Sequence, residues 1–417
     1  MSASATAASA DAPGKPVSSR SLRGLDAVNF LMADVQGGLG PYLSVFLESQ
    51  RWQAGSIGVA MAATSISSAI CQIPAGLLVD ATRAKRLIAA ASGLLIAVAC
   101  LAIAWFPHFL PVLAAQVVIG AAAALVPPTL AALALGLAGR ARFDATISRN
   151  QSFNHGGNFV AAILVGGLGQ YVGIQWIFYL IGGFACASAL ATLLINPREI
   201  DHVLARGGEA KEAGGQARPA SLRELLQRRD LRVFLGSVLL FHFGNAAMLP
   251  MAGQVLAVAH PGQATIALSG CIIVAQFVMV GVAWAVGRAV ARGVGRKTVF
   301  LVAYAILPVR GVLFSFTTSP YGVVAIQVLD GIAAGIFGVA AVLIASDLMR
   351  GTGRFNLAQG LVALSVGIGA TFSNLVGEYA VEWFGYPAGF LTLAAIALAA
   401  LLFFAFLMPE TRPAGAA

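Results

Sequence analysis

Ionisable side chains inside long apolar runs are the residues here whose chemistry demands a reason. A charge at the centre of a bilayer costs roughly 2.5–3.5 kcal/mol on insertion scales, so it is retained for pairing or for function. Asp34 lies eight residues after Asp26, about 12 Å along a helix, and the helix-bending run Gly37 to Pro41 follows it. Two readings are open for it: a proton or cation carrier, or a hydrogen bond to a neighbouring helix. Asp330 sits well inside another apolar run, and Arg310 lies in the run before it. An intramembrane Arg needs a partner, and consecutive spans often pack together. Asp330 is therefore a candidate partner as well as a candidate carrier; binding of an anionic solute by Arg310 is the alternative.

The richest polar run is Arg149 to Asn158. Asn150, Asn154 and Asn158 recur every four residues, as do Gln151 and His155. On a helix these rows adjoin, giving one polar face about 12 Å long. Such a face cannot point at lipid and must line a cavity or a helix interface. His155, with its ordinary pKa near neutrality, is a second candidate proton carrier. Gln116, Asn245 and Gln327 join Asn150, Gln151, Asn154 and Asn158 as candidate substrate contacts. His242, Met248 and Met251 are soft-metal ligand types, but His242 and Met248 are six apart and face differently, so no metal site is expected. The sequence shows no Walker loop, serine elbow or metal-finger spacing, so ATP-driven transport, catalysis and a bound cofactor are not expected.

What must position these groups is a set of membrane helices. The chain of 417 residues is 59% hydrophobic and 10% charged, with mean hydropathy +0.84, whereas soluble domains carry about 25% charged residues. The net charge of +9 does not indicate nucleic acid. Apart from Arg51 and Arg310, the bases lie in the tails or at the loops of one side, as the positive-inside rule requires. Apolar runs of about 20 residues occur near 26–47, 55–79, 87–106, 111–137, 146–171, 175–195, 231–257, 264–288, 298–317, 321–347, 356–383 and 387–408. Twelve spans with a basic start place both termini inside. The expected organisation is a disordered cytoplasmic tail (1–21), a six-helix bundle (22–195) and a second one (231–408), then a short tail (409–417). A charged, glycine-bearing linker (196–230) joins the bundles, with a capping box at Ser221 and Glu224 ahead of a surface helix.

The two bundles repeat each other. At a spacing of 211, Gly76 matches Gly287, Lys85 matches Arg296, Arg86 matches Lys297, Gln116 matches Gln327 and Gly120 matches Gly331. At 212, Arg142 and Phe143 match Arg354 and Phe355. Parallel six-span repeats are the plan of one transporter class. The polar stripe is not repeated, since its counterparts are Val362, Val366 and Ala370; an asymmetric substrate would require that, whereas packing symmetry would not.

From about Leu22 to Met408 the sequence resembles the major facilitator superfamily (MFS). The most specific piece is Gly76 to Arg86, similar to that family's loop signature between spans two and three; Gly76, Asp80, Lys85 and Arg86 match, and Ala84 replaces the usual glycine. The resemblance implies an all-α fold of twelve transmembrane helices in two pseudo-symmetric bundles. It also implies that Gly76, Asp80, Arg83, Lys85 and Arg86, with Arg296 and Lys297 in the second copy, form a conformational latch. Gln116 stands where efflux members carry Arg. The function implied is secondary active transport of a small solute by alternating access, coupled to protons, with export first and uptake of a metabolite or metal-siderophore complex as the alternative. A monomer in a bacterial inner membrane is the form expected.

Overall fold

The computed structural model describes residues 17–33, 43, 46–208, 219–260 and 264–412, and no strand occurs among them. Helix α1 (Ser19–Leu31) starts on Ser18, whose hydroxyl accepts from the Ser21 N–H at 3.2 Å, serine being a favoured N-cap. This start falls inside the stretch expected to be a disordered tail. The end of that stretch is tied down: Glu199 accepts from the Ser18 hydroxyl at 3.0 Å, and the fully buried Ser21 accepts from the Asn196 N–H at 3.0 Å. Helices α2 (Ala54–Ala81) and α3 (Lys85–Trp105) follow.

Helix α4 (Phe109–Tyr171) has one non-helical residue, Gly139, at φ +67°. A straight helix of 63 residues would run about 95 Å, roughly three hydrocarbon cores. Gly139 takes a left-handed backbone that side chains resist. It divides α4 into two arms, α4a (109–138) and α4b (140–171), one crossing each. Helix α5 (Trp176–Ala191) completes the first bundle.

A short helix α6 (Leu222–Gln227) opens the second half. Its capping box is closed at both ends: the Ser221 N–H donates to Glu224 at 2.6 Å and the Glu224 N–H to the Ser221 hydroxyl at 3.2 Å. Helices α7 (Arg229–Asn245) and α8 (Met248–Ala259) make one crossing with a break at Ala246 and Ala247. Pro250 causes it, since it has no N–H for the Ala246 carbonyl and its ring crowds that group. The Ala247 N–H instead donates to the buried Ser373 hydroxyl at 3.0 Å. Helices α9 (Ala264–Ala291), α10 (Arg296–Ser315), α11 (Pro320–Leu348), α12 (Phe355–Phe384) and α13 (Tyr386–Leu407) complete the chain.

Ten helices among the described residues are long and apolar enough to cross a membrane. One of them is α4, which crosses twice, and α1 opens a further crossing. The protein is thus a twelve-helix membrane protein of two six-helix bundles. The bundles meet symmetrically: α2 packs on α12, and α9 packs on α4b. The repeat is visible in the packing. A Cβ at Gly331 would stand 2.8 Å from the Ala275 carbonyl, and Gly120 abuts the Thr64 carbonyl, its counterpart. The rings of Phe143 and Phe355, repeat counterparts, meet edge-on at 5.9 Å. Equivalent residues touch only near the axis relating the copies, so the pseudo-twofold axis passes between them.

The first part of the linker is docked rather than loose. The Asp201 N–H donates to the Gly136 carbonyl at 2.8 Å. The Gly207 carbonyl accepts from Gly351 N–H at 2.8 Å and from Arg140 at 3.2 Å. Ala205 is fully buried. Residues 200–208 thus form a strap over the face that carries the basic loops, touching both bundles. The linker glycines Gly214 and Gly215 lie outside the described residues.

Candidate functional site

On the basic face the two bundles are closed against each other at two symmetry-related seams. In the first, Asp80, at the end of α2, is 5% exposed. Its carboxylate accepts from the Asn356 N–H at 3.1 Å, the Leu357 N–H at 2.9 Å and the Asn356 side-chain amide at 2.8 Å. These are the orphan N–H groups of the first turn of α12, so Asp80 caps a helix of the other bundle and places its charge at that helix's positive end. The approach needs a glycine: a Cβ at Gly76 would stand 2.8 Å from Leu357 Cα. The hydrogen-bond partners of Asp80 are N–H groups, and Arg354, a base of the other bundle, attracts its charge without a hydrogen bond.

The cross-seam ion pair belongs to the second copy. Arg296, 5% exposed, donates to Asp144 of α4b at 2.7 Å and to Asp347 of α11 at 3.1 Å. Here too a glycine admits the neighbour, since a Cβ at Gly287 would lie 2.6 Å from that of Ser148. The remaining latch candidates do not cross the seam. Lys85 donates to the Thr82 carbonyl at 2.7 Å and Arg86 to the Ile195 carbonyl at 2.8 Å, both inside the first bundle. Arg83 is exposed, and the Lys297 N–H donates to Glu410 at 3.2 Å. Sequence reasoning passed over Asn356 and Asp144, because nothing local marks a residue whose partner lies in the other bundle, and over Asp347 and Glu410, whose partners at the start of α10 are 51 and 114 positions away.

Within the membrane the polar stripe of α4b does face protein. His155 Nδ1 lies 3.0 Å from the Gln276 amide oxygen of α9, a contact between bundles. Gln151 and the other ring nitrogen of His155 lie against Gly338 of α11. On the adjoining row, Asn154 donates to the Asn29 carbonyl of α1 at 3.4 Å and Asn158 to Asn154 at 3.5 Å. Asn150 is buried with its amide oxygen unpartnered, as is His155 Nε2. The stripe therefore divides: Gln151 and His155 meet the second bundle, while Asn154 and Asn158 stay in the first. Gln276 was missed because its counterpart in the other copy is Ser65, so no matched amide pair marks it as Gln116 and Gln327 are marked.

The second bundle holds the other cluster. Arg310, 1% exposed, donates to both Asn245 and Asp330. The break after α7 leaves Asn245 at a helix end, facing α10. Gln327, one turn before Asp330, is fully buried with neither amide atom partnered. Its repeat counterpart Gln116 accepts from the Thr64 hydroxyl at 2.7 Å, within the first bundle. The equivalent of Thr64 in the second copy is Ala275, which has no hydroxyl to give. Glu378 of α12, bonded to Gln254 at 2.8 Å, is a further acid within a span; the rule that singled out Asp34 would have found it. Asp34 itself lies outside the described residues.

A buried ion pair in one bundle, a polar stripe reaching across the interface and a closed seam on one face are the parts of a solute carrier. The family model of the Major Facilitator Superfamily matches residues 25–307 and 282–417. The chain belongs to the major facilitator superfamily. Two proteins, from two strains of Mycobacterium tuberculosis and each described as an uncharacterized MFS-type transporter, are 42% identical to it over 393 residues, 94% of either chain. Among solved structures, this MFS chain resembles the transporter FucP in its outward conformation, with TM-score 0.68 and 15% identity, covering 93% of this chain and 99% of that one. It also resembles the human organic anion transporter MFSD10, with TM-score 0.68 and 17% identity, covering 92% and 99%. These likenesses carry the fold. The protein is accordingly a multi-pass membrane transporter of small molecules.

Proposed function

We propose that the chain moves a small organic solute by alternating access, driven by protons, with Asp330, His155 and Asp34 as the proton-carrying groups. The observation that carries this reading is the buried cluster of Arg310, Asn245 and Asp330. A carboxylate and a guanidinium held in a membrane bundle are costly unless paired, and protonation of Asp330 would release Arg310. Such a pair senses both a proton and an anionic or hydrogen-bonding solute. Gln151 and His155, which meet the second bundle, with Asn150 and Gln327, whose amide atoms have spare hydrogen-bonding capacity, are the proposed solute contacts. Asn154, Asn158, Gln116 and Asn245 support them within the bundles. The basic face is proposed as the cytoplasmic side of an inner membrane, with the chain acting as a monomer of two bundles, 22–195 and 231–408. The closed seams there then describe an outward-facing form.

The test is proton movement in proteoliposomes, read with an entrapped pH dye while a panel of solutes is added outside. Wild type should show solute-dependent proton flux. The paired variant Arg310→Gln with Asp330→Asn, which leaves no unmatched charge, should move solute without protons or not at all. Unaltered coupled flux in that variant overturns the assignment. Export is the direction implied by the resemblance. Proton-driven solute uptake into everted vesicles supports it, and uptake into right-side-out vesicles overturns it.

A further inference from the structure

The outer face of α9 carries a feature that transport does not use. Phe277 (68% exposed), Gly281, Trp284 (56% exposed), Arg288 and Arg292 lie on one side of the helix and are all exposed. Going toward the basic face, this stripe passes from an apolar ring through Trp to two bases, one turn apart each. The order matches a bilayer's own profile: hydrocarbon, then the interfacial belt where Trp concentrates, then the headgroups. The Arg288 guanidinium is stacked over the Trp284 ring at 3.6 Å, which fixes its plane while leaving its N–H edge free to donate. Arg292, the first residue past α9, continues the turn, its N–H donating to the Arg288 carbonyl at 3.1 Å. No carboxylate is ion-paired with either among the described residues. The nearby acid Glu410 is occupied by the N–H groups of Arg296, Lys297, Thr411 and Arg412.

The geometry points to a binding site for the headgroup of an anionic phospholipid, formed by Arg288 and Arg292 with Trp284 as its floor. Two guanidiniums present the paired donors that a phosphodiester accepts. The exposed aromatic residues below bind acyl chains, which places the occupant in the bilayer rather than in the aqueous phase. On the adjoining flank of the same helix turn is Gly287, packed on Ser148 at the second seam. A lipid held here grips the helix that closes the basic face.

The experiment is native mass spectrometry of the full-length protein released from mixed micelles of phosphatidylglycerol and phosphatidylcholine. Wild type should retain phosphatidylglycerol in preference to phosphatidylcholine. Arg288→Gln with Arg292→Gln should reduce that preference about 30-fold, since each base near an anionic surface contributes roughly fivefold. Arg288→Lys with Arg292→Lys should restore most of it. Equal retention of the two lipids by wild type, or an unchanged preference in the double Gln variant, overturns the site. Displacement of the lipid by millimolar glycerol phosphate also overturns it, because the site would then take a free phosphate.

Discussion

Replacing Asp80 with Ala tests the seam directly. The carboxylate is almost fully buried and satisfies two backbone N–H groups of α12 and the Asn356 side chain. Loss of a helix cap costs about 1 kcal/mol, and a buried donor left without a partner costs roughly 1–3 kcal/mol. In the open form the same N–H groups meet water, so the loss falls on the closed form alone. A net of about 2 kcal/mol shifts the closed-to-open ratio about 30-fold toward opening. Asp80→Asn, which keeps one acceptor oxygen and places an NH2 against the other N–H, should do about as much harm at that second group and less overall. The assay is the distance between spin labels on Ala84 and Arg350, both exposed and on opposite bundles, measured in a background lacking the four cysteines. Wild type should give a dominant short distance, and Asp80→Ala a dominant long one. An unchanged distribution in Asp80→Ala would show that the cap does not hold the face shut.

The remaining predictions concern single sites. Ala275→Thr should supply Gln327 with the hydroxyl that Thr64 gives Gln116; thermal unfolding in detergent should show about 1 kcal/mol of stabilisation, and a loss of stability would mean the two copies pack differently there. Arg310→Gln alone should destabilise by about 3–5 kcal/mol, because it leaves Asp330 buried without its partner, and adding Asp330→Asn should recover most of this in the same assay. Burial first, then the nearby Lys85 and Arg83 charges, hold the His202 imidazole below its ordinary value of 6.5, against a smaller opposing pull from Asp201. The docked strap therefore favours neutral His202: its docking is full above pH 6.5 and weakens as pH falls below it toward the lowered value. Once the intrinsic slowing of amide exchange at lower pH is divided out, protection over residues 200–208 should be weaker at pH 5.5 than at pH 7.5 in wild type, and His202→Gln should remove that difference.

The spans were legible because a bilayer imposes one length scale, and the runs 356–383 and 321–347 fall within a residue of α12 and α11 at either end. The break between α7 and α8 is of the kind a sequence can show, since the effect of Pro250 on the Ala246 carbonyl is local. The duplication was legible in Gly76 and Gly287, because both admit a helix from the other bundle. What the sequence withheld are pairings across it. Asp80 and Asn356 are 276 positions apart, and the register that joins them is set by packing of whole helices. The glycines of the linker do not announce a docked strap, yet Gly207, at φ +79°, turns the chain so that its carbonyl accepts from Gly351. The stripe of α4b was legible as a polar face, but not its division between two neighbours, which depends on the angle at which α9 crosses it.

The two seams share an origin but not a chemistry. Asn356 and Asp144 are repeat counterparts, as are Arg296 and Lys85, while Asp80 has Ala291 as its counterpart. At the first seam the acid sits on α2 and the donors on α12; at the second the base sits on α10 and the acid on α4b. Each copy thus retained one charge-assisted closure and discarded the other's. The environments differ accordingly. Asp80 and Asn356 are buried, whereas the Asp144 side chain is 36% exposed. Salt screens exposed pairs and leaves buried ones nearly untouched, so ionic strength loosens the Arg296 seam while the Asp80 seam holds. Because Phe143 and Phe355 sit on the axis between them, a rigid rocking of one bundle on the other must part both seams together. The seam with the buried cap then sets the free energy of the closed face, and the ion pair trims it.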